Sequence, residues 1–308
     1  MVIIGDGPGG YEGALVARQL GADVTLVSAG RIGGSAVLTD CVPSKTLIAT
    51  SEAIDQAAAS GYLRVRIDGR HADRSAFSVD LATVNERILE LTHAQSAGIR
   101  QHLEQAGVEI VHGRGTLTSE ATIEVTNDDA SWEITADTIL LATAARPRVL
   151  ADAAPDGERI LSWEQIYRLD ALPEHLSVVG SGVTRAEFAS AFHALGSTLT
   201  LVSSSDRVLP GEDVDAAGVL EDVFTRGGLN LRSRSRAVAA RRVDNSVIVT
   251  LDDSSTLQGS HVLMAVGSLP NTDDLALETA GVSTDSRGFS TVDRVSRTSA
   301  RHIYAAGA

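Results

Sequence analysis

Val2-Ile3-Ile4-Gly5-Asp6-Gly7-Pro8-Gly9-Gly10, continuing to Gly21 and then Thr25-Leu26-Val27-Ser28, opens the chain and decides its fold. Three apolar residues read as a buried strand and the glycines as a tight turn. The stretch to Gly21 reads as an amphipathic helix closed by a C′ glycine, and Thr25 to Ser28 as a second strand. The pattern returns 175 residues later, counted from Gly5 to Gly180. Gly5, Gly7, Glu12, Ala14, Leu20 and Gly21 fall on Gly180, Gly182, Glu187, Ala189, Leu195 and Gly196, and Thr25-Leu26-Val27-Ser28 falls on Thr200-Leu201-Val202-Ser203. The chain is therefore expected to be α/β and to contain the same βαβ unit twice.

Glycines spaced in this way, directly after a strand and opening a helix, fit a dinucleotide. Gly5 permits the tight turn, Gly7 lets the backbone approach a pyrophosphate, and Gly10 lets helix and strand pack closely. Pro8 suits the first helical turn, and the phosphates would sit at the positive helix end. In the second copy Gly180 and Gly182 are present, but the third position holds Arg185. Its side chain has to swing outward, push the helix away or contact a phosphate. Both second strands end in serine, Ser28 and Ser203, where an acid would hold the ribose hydroxyls. At Ser203 the loss relaxes discrimination against a 2′-phosphate, and at Ser28 it removes a ribose contact. Two such folds imply two dinucleotides, most economically one FAD and one NAD(P)H.

Composition narrows the classes. The chain has 308 residues, a formal charge of −14, 43% hydrophobic residues and one cysteine. That length is ample for two cores. One cysteine rules out an internal disulfide and with it an intramolecular dithiol catalyst. With acidic balance and no basic run, nucleic acid is not an expected partner. No apolar stretch approaches a membrane span and no charged leader precedes the first strand, so a soluble cytoplasmic protein is expected. Lys45 is the only lysine among 26 basic residues, and it follows Cys41-Val42-Pro43-Ser44 closely. A compact ammonium beside the only thiol is a point charge that a guanidinium does not replace.

Between the repeats, residues 84 to 106 read as a long helix. Short β segments follow around Val108 to Val111, Thr122 to Val125 and Thr138 to Leu141. A linker rich in Ala, Asp, Pro and Gly spans Ala151 to Gly157. Val262 to Ala265 reads as a further buried strand. The resulting plan is two nested Rossmann-like domains: an FAD-binding part at 1–150, an NAD(P)-binding domain at 151–269, and a return to the first domain at 270–308.

The segment Gly33-Gly34-Ser35-Ala36-Val37-Leu38-Thr39-Asp40-Cys41-Val42-Pro43-Ser44-Lys45-Thr46 resembles the active-site loop of the flavoprotein disulfide reductases, such as lipoamide dehydrogenase, glutathione reductase and mercuric reductase. The likeness extends along the chain through Gly5 to Gly10, Ala142 to Pro147, the turn ending at Glu187, Gly267 to Asn271 and Tyr304-Ala305-Ala306-Gly307. The resemblance assigns catalytic roles to Cys41, Lys45 and Glu187. It assigns cofactor binding to Gly5, Gly7, Gly10, Ser28, Gly33, Gly34, Ser35, Lys45, Arg114, Gly115, Thr143, Gly180, Gly182, Glu187, Ser203 and Gly267, with no metal. Lys45, paired with Glu187, is implied at the flavin N5 edge. The family's first loop cysteine falls on Ala36 and its second on Cys41, so dithiol exchange is rejected. Cys41 is then either a thiolate favoured by its helix start and Lys45, or a small packing residue.

The Ala-for-Cys loop is similar to that of actinobacterial members acting as NAD(P)H:quinone reductases. The implied function is hydride transfer from NAD(P)H to FAD and then directly to a quinone-like small molecule. Alternatives are a degenerate or truncated flavoprotein without turnover and a single-cysteine peroxidase. Departures from the pattern are Ser28, Ala144, Arg185 and Ala308. The family's dimerisation domain, which lends a His-Glu pair to the partner, is expected to be missing, which makes His93, His102 and His112 surface or core residues.

Overall fold

The computed structural model describes residues 1–180 and 182–307. Ala308, one of the departures above, lies outside the described residues. The chain divides into two compact units. The first is Met1–Cys41, Leu91–Arg146 and Ser268–Ala308, and the second is Val42–Glu90 and Pro147–Gly267.

In the first unit, strand Val2–Ile4 takes Thr25–Ser28 on one side and Ile139–Leu141 on the other. Glu109–His112 and Ile303–Ala305 complete a five-stranded, all-parallel sheet. Parallel strands covered on both faces must be apolar at successive residues, which is why these runs are continuous rather than alternating. Ile3, Leu26 and Leu140 point to one face, where they pack with Ala14 of helix Pro8–Gln19 and with Leu103 and Val108. Val2, Ile4, Val27, Ile139 and Leu141 point to the other face. There they meet Leu117, Ile123 and Val125 of an antiparallel sheet formed by Arg114–Leu117, Thr122–Thr126 and Ser131–Thr135.

The second unit repeats this plan. Its parallel sheet runs Ile160–Leu161, His261–Met264, His175–Val179, Thr198–Val202, Asn230–Arg232. Leu176, Val178, Leu199 and Leu201 pack on Ala189 and Phe192 of helix Val183–Leu195. Val179, Val202, Val262 and Met264 pack on Ala240, Val247 and Val249 of a second antiparallel sheet. The repeat holds at the level of register. Val2 lies opposite Thr25 and Ile3 opposite Leu26, as Ser177 lies opposite Thr200 and Val178 opposite Leu201.

Both βαβ helices stop where left-handed backbone is needed, at Gly21 (φ +89°) and Gly196 (φ +116°). Among the described residues no helix is long and apolar enough to cross a membrane.

Candidate functional site

In the first turn each glycine does a different job. Gly5 has φ +105°, and a Cβ there would lie 2.2 Å from the Ala142 carbonyl oxygen. A Cβ on Gly10 would lie 2.0 Å from the Gly5 oxygen, so helix and turn touch through bare backbone. Gly7 is different: it is buried, but a Cβ there would meet only the Gly34 Cα, at 3.9 Å, so its backbone is uncrowded. No side chain caps helix Pro8–Gln19 at Gly7. Its leading N–H groups are the kind an anion satisfies.

Gly33 and Gly34 back this turn. The Gly33 N–H donates to the Asp6 carbonyl at 2.9 Å, and Gly34, with φ +58°, lies so close that a Cβ would sit 2.7 Å from the Gly7 Cα. Ser35 follows in the short helix Gly34–Leu38, and its carbonyl accepts from Thr39 and Asp40. Ser28 is buried at the end of its strand, and its hydroxyl donates to the Asp6 carboxylate and to the Gly30 carbonyl. Burial pushes the Asp6 carboxyl above its usual range, while bonds from the Ser28 hydroxyl and the Gly34 N–H pull it back down.

Three candidates of this unit lie elsewhere. Arg114 is exposed at the start of its strand, and Gly115 is packed against Ile4 and Ile123. The Thr143 carbonyl accepts from Asn271 Nδ2 at 2.9 Å. The next residue, Ala144, holds φ +55°, left-handed backbone that favours the glycine the resemblance calls for there.

In the second unit Gly180 has φ +132°, and helix Val183–Leu195 starts at Gly182, again without a side-chain cap. Arg185 corrects an expectation. Its side chain does not swing away from the turn but curls over it, with Nε donating to the Ala265 carbonyl. A Cβ on Gly180 would lie 2.6 Å from Nε and one on Gly182 2.3 Å from Nη1. A carbonyl at the strand end gives the guanidinium a local partner that the sequence pattern did not reveal. The cation thus lies against Gly180 and Gly182, the positions where the glycine pattern would receive a pyrophosphate. Arg185→Gly is expected to empty the turn and tighten NAD(P)H binding by several-fold, read as a lower dissociation constant in a fluorescence titration. Unchanged or weaker binding would make the arginine a phosphate ligand or a bystander.

Lys45 and Glu187 come together in the same unit. Lys45 Nζ lies 2.6 Å from Glu187 Oε1, and the buried Ser44 hydroxyl donates to Oε2 at 3.0 Å. The lysine side chain is 57% exposed and the glutamate 19%, so the carboxylate is the anchored partner. Lys45 and Ser44 stand on helix Cys41–Ala59, whose first residue carries an exposed thiol. Ser203 is buried, its hydroxyl shared among the Ser205 N–H and the Ser205 and Arg207 carbonyls. Gly267, at φ +113°, accepts from the Arg148 N–H at 3.0 Å. His261 is pushed down to about 4 by burial and by nearby Arg159, which keeps it neutral near pH 7.

The family model for pyridine nucleotide-disulphide oxidoreductases matches residues 1–308. The chain belongs to that family. An NAD(P)H dehydrogenase (quinone) of Mycobacterium tuberculosis is 46% identical over 317 residues, a match covering all of this chain and 63% of the relative. A dihydrolipoyl dehydrogenase of Chlorobaculum parvum is 32% identical, with all of this chain and 65% of the relative covered. The chain thus spans somewhat less than two thirds of these relatives' length. Among solved structures, LpdA of M. tuberculosis superposes with a TM-score of 0.92 at 45% identity, over 99% of this chain and 67% of that one. The HOCl-induced flavoprotein disulfide reductase RclA of Escherichia coli, at 24% identity and TM-score 0.82, shares the fold.

The family uses FAD and NAD(P)H. The first turn fits a dinucleotide pyrophosphate, since its backbone contacts exclude side chains at Gly5 and Gly10, leave Gly7 uncrowded, and leave the helix start without a side-chain cap. In the second turn Gly180 is likewise left-handed and Gly182 likewise extended, with the Arg185 guanidinium laid against them. Two residues of these sites went unread in the sequence. Ser44 carries no motif signal before Glu187 is placed beside it. Asp6 offered a signal that was passed over, an acid inside a glycine turn whose pattern gives negative charge no role.

Proposed function

We propose that this chain carries the two nucleotide-binding units of an NAD(P)H oxidoreductase that passes electrons to a quinone-like small molecule without a protein disulfide. The observation that carries this reading is the active-site loop, in which Cys41 is the chain's sole cysteine and Ala36 stands where a partner thiol would be needed. The M. tuberculosis relative's name supports the acceptor class. When bound, the two cofactors supply hydride transfer from a dihydronicotinamide and release of the electrons to the acceptor.

The chain's own residues bind and orient. The turns at Gly5–Gly10 and Gly180–Gly182 receive the pyrophosphates. Gly33, Gly34, Ser35, Arg114, Gly115 and Thr143 belong to the FAD side, Ser203 and Gly267 to the NAD(P)H side. Lys45, fixed by Glu187 and Ser44, holds a positive charge where negative charge grows during reduction. Cys41 presents a thiol near the same helix start and relays nothing through a disulfide.

A second reading, a chain that binds nucleotide weakly and turns nothing over, is favoured by one observation, the arginine resting in the second turn. One experiment separates them: the visible spectrum of the purified 308-residue chain with FAD, before and after anaerobic NADPH, followed by a naphthoquinone. Flavin absorbance that bleaches with NADPH and returns with the quinone is the expected result. A chain that takes up no FAD returns the second reading. Reoxidation by peroxide but not quinone would point to sulfenic-acid chemistry at Cys41.

A further inference from the structure

The dinucleotide turn of the first unit contains an ionisable residue that its chemistry does not require. A pyrophosphate is doubly anionic, and a carboxylate among the glycines that receive it is repelled unless it faces something that donates hydrogen bonds. In Rossmann folds the usual donors near this point are the adenosine ribose hydroxyls, normally met by an acid at the end of the second strand. Here that place is Ser28. Its hydroxyl proton is spent on the Asp6 carboxylate and on the Gly30 carbonyl. Asp6 itself is held on three sides. Ser28 donates to one carboxylate oxygen, and the N–H groups of Gly34 and of Asp6 itself contribute further bonds, which together oppose the upward push of burial on its carboxyl. A carboxylate has about four acceptor positions, so these three bonds leave room for one ribose hydroxyl.

We propose that Asp6 is the ribose-recognition residue of the first dinucleotide site: the acid has moved from the end of the second strand into the glycine turn, and Ser28 orients it. The inference rests on the reading that this unit binds FAD. Asp6 contacts Ser28 directly, so its carboxylate lies at the strand end, where a strand-borne acid would act. The relocation offsets the lost contact expected from Ser28 alone and makes adenine dinucleotides the ligand class favoured over flavin mononucleotide.

The test measures dissociation constants of the apo chain by flavin fluorescence for two ligands, FAD and its analogue with 2′-deoxyadenosine. The parent should prefer FAD by about tenfold, the scale of one hydrogen bond to a charged group. Asp6→Ala should abolish the preference by weakening FAD while leaving the analogue nearly unchanged. The double variant Asp6→Ser with Ser28→Glu should restore it from the strand end. Asp6→Asn serves if Asp6→Ala does not fold, and should lose most of the preference. Equal weakening of both ligands would overturn the proposal, leaving Asp6 a clasp between Ser28 and Gly34, and so would a preference surviving in Asp6→Ala. A parent that binds FAD without preference defeats this inference alone. A parent that binds neither ligand defeats it together with the FAD reading.

Discussion

Lys45→Met is expected to slow anaerobic flavin bleaching by NAD(P)H by about 10- to 100-fold, the equivalent of losing about 1.4 to 2.7 kcal/mol of transition-state stabilisation. The effect is placed on rate rather than on stability because of how the pair is built. Its ammonium is 57% exposed, and a partly solvated ion pair contributes about 0 to 1 kcal/mol to folding. The thermal midpoint should therefore barely move. Removing the lysine leaves the Glu187 carboxylate, anchored by Ser44, as a net negative charge in the site. On the proposed function, hydride arrival adds electron density, so the variant would oppose a step that the parent's ammonium favours. Lys45→Arg keeps the charge but replaces a point donor with a planar fork, and an intermediate rate is expected. Stopped-flow bleaching that matches the parent in Lys45→Met would remove Lys45 from the hydride step.

The fold was legible because its main features are periodic. Two strands buried on both faces must be continuously apolar, a turn pressed against backbone must be glycine, and the distance between copies then sets the register, as the pairs Val2 with Thr25 and Ser177 with Thr200 show. What escaped depends on contacts between distant residues. The antiparallel sheet at 237–259 hides its hairpin in Asp244-Asn245, with Asp244 at φ +50°, a turn without glycine. Helix Val214–Arg226 is announced only by the Asp213 cap, whose carboxylate accepts from Asp215 and Ala216. In the site, the lysine and its glutamate carried a signal as the only ammonium and a repeated position. The direction of the Arg185 side chain did not, because the Ala265 carbonyl that holds it lies 80 residues further on. A pattern of residue types reports what backbone can approach. It is silent on which side chain then fills the space.

The larger stability effect is expected from Gly10→Ala, which should cost at least about 3 kcal/mol and remove FAD binding, read by denaturant unfolding and flavin titration. Helix propensity alone argues the other way, since alanine in a helix is worth up to about 1 kcal/mol over glycine. Packing decides. The added Cβ would lie 2.0 Å from the Gly5 oxygen and 2.9 Å from its carbonyl carbon, and backbone atoms have no rotamer to yield. Relief requires the helix start to lift from the strand. That lift opens the core of Ile3, Ala14 and Leu26 and displaces the helix-start N–H groups proposed to receive the pyrophosphate. Gly98→Ala is the internal control. Gly98 also lies in a helix, Leu81–Gln105, is exposed, and has nothing within 4 Å of an added Cβ. There the same substitution should raise stability by about 0.5 to 1 kcal/mol. Opposite signs from one chemical change would show that contact with the Gly5 carbonyl, rather than helix propensity, reserves position 10 for glycine. A Gly10→Ala chain with the parent's midpoint and FAD affinity would mean that the helix and turn separate at little cost, and that their close approach does not hold the site in shape.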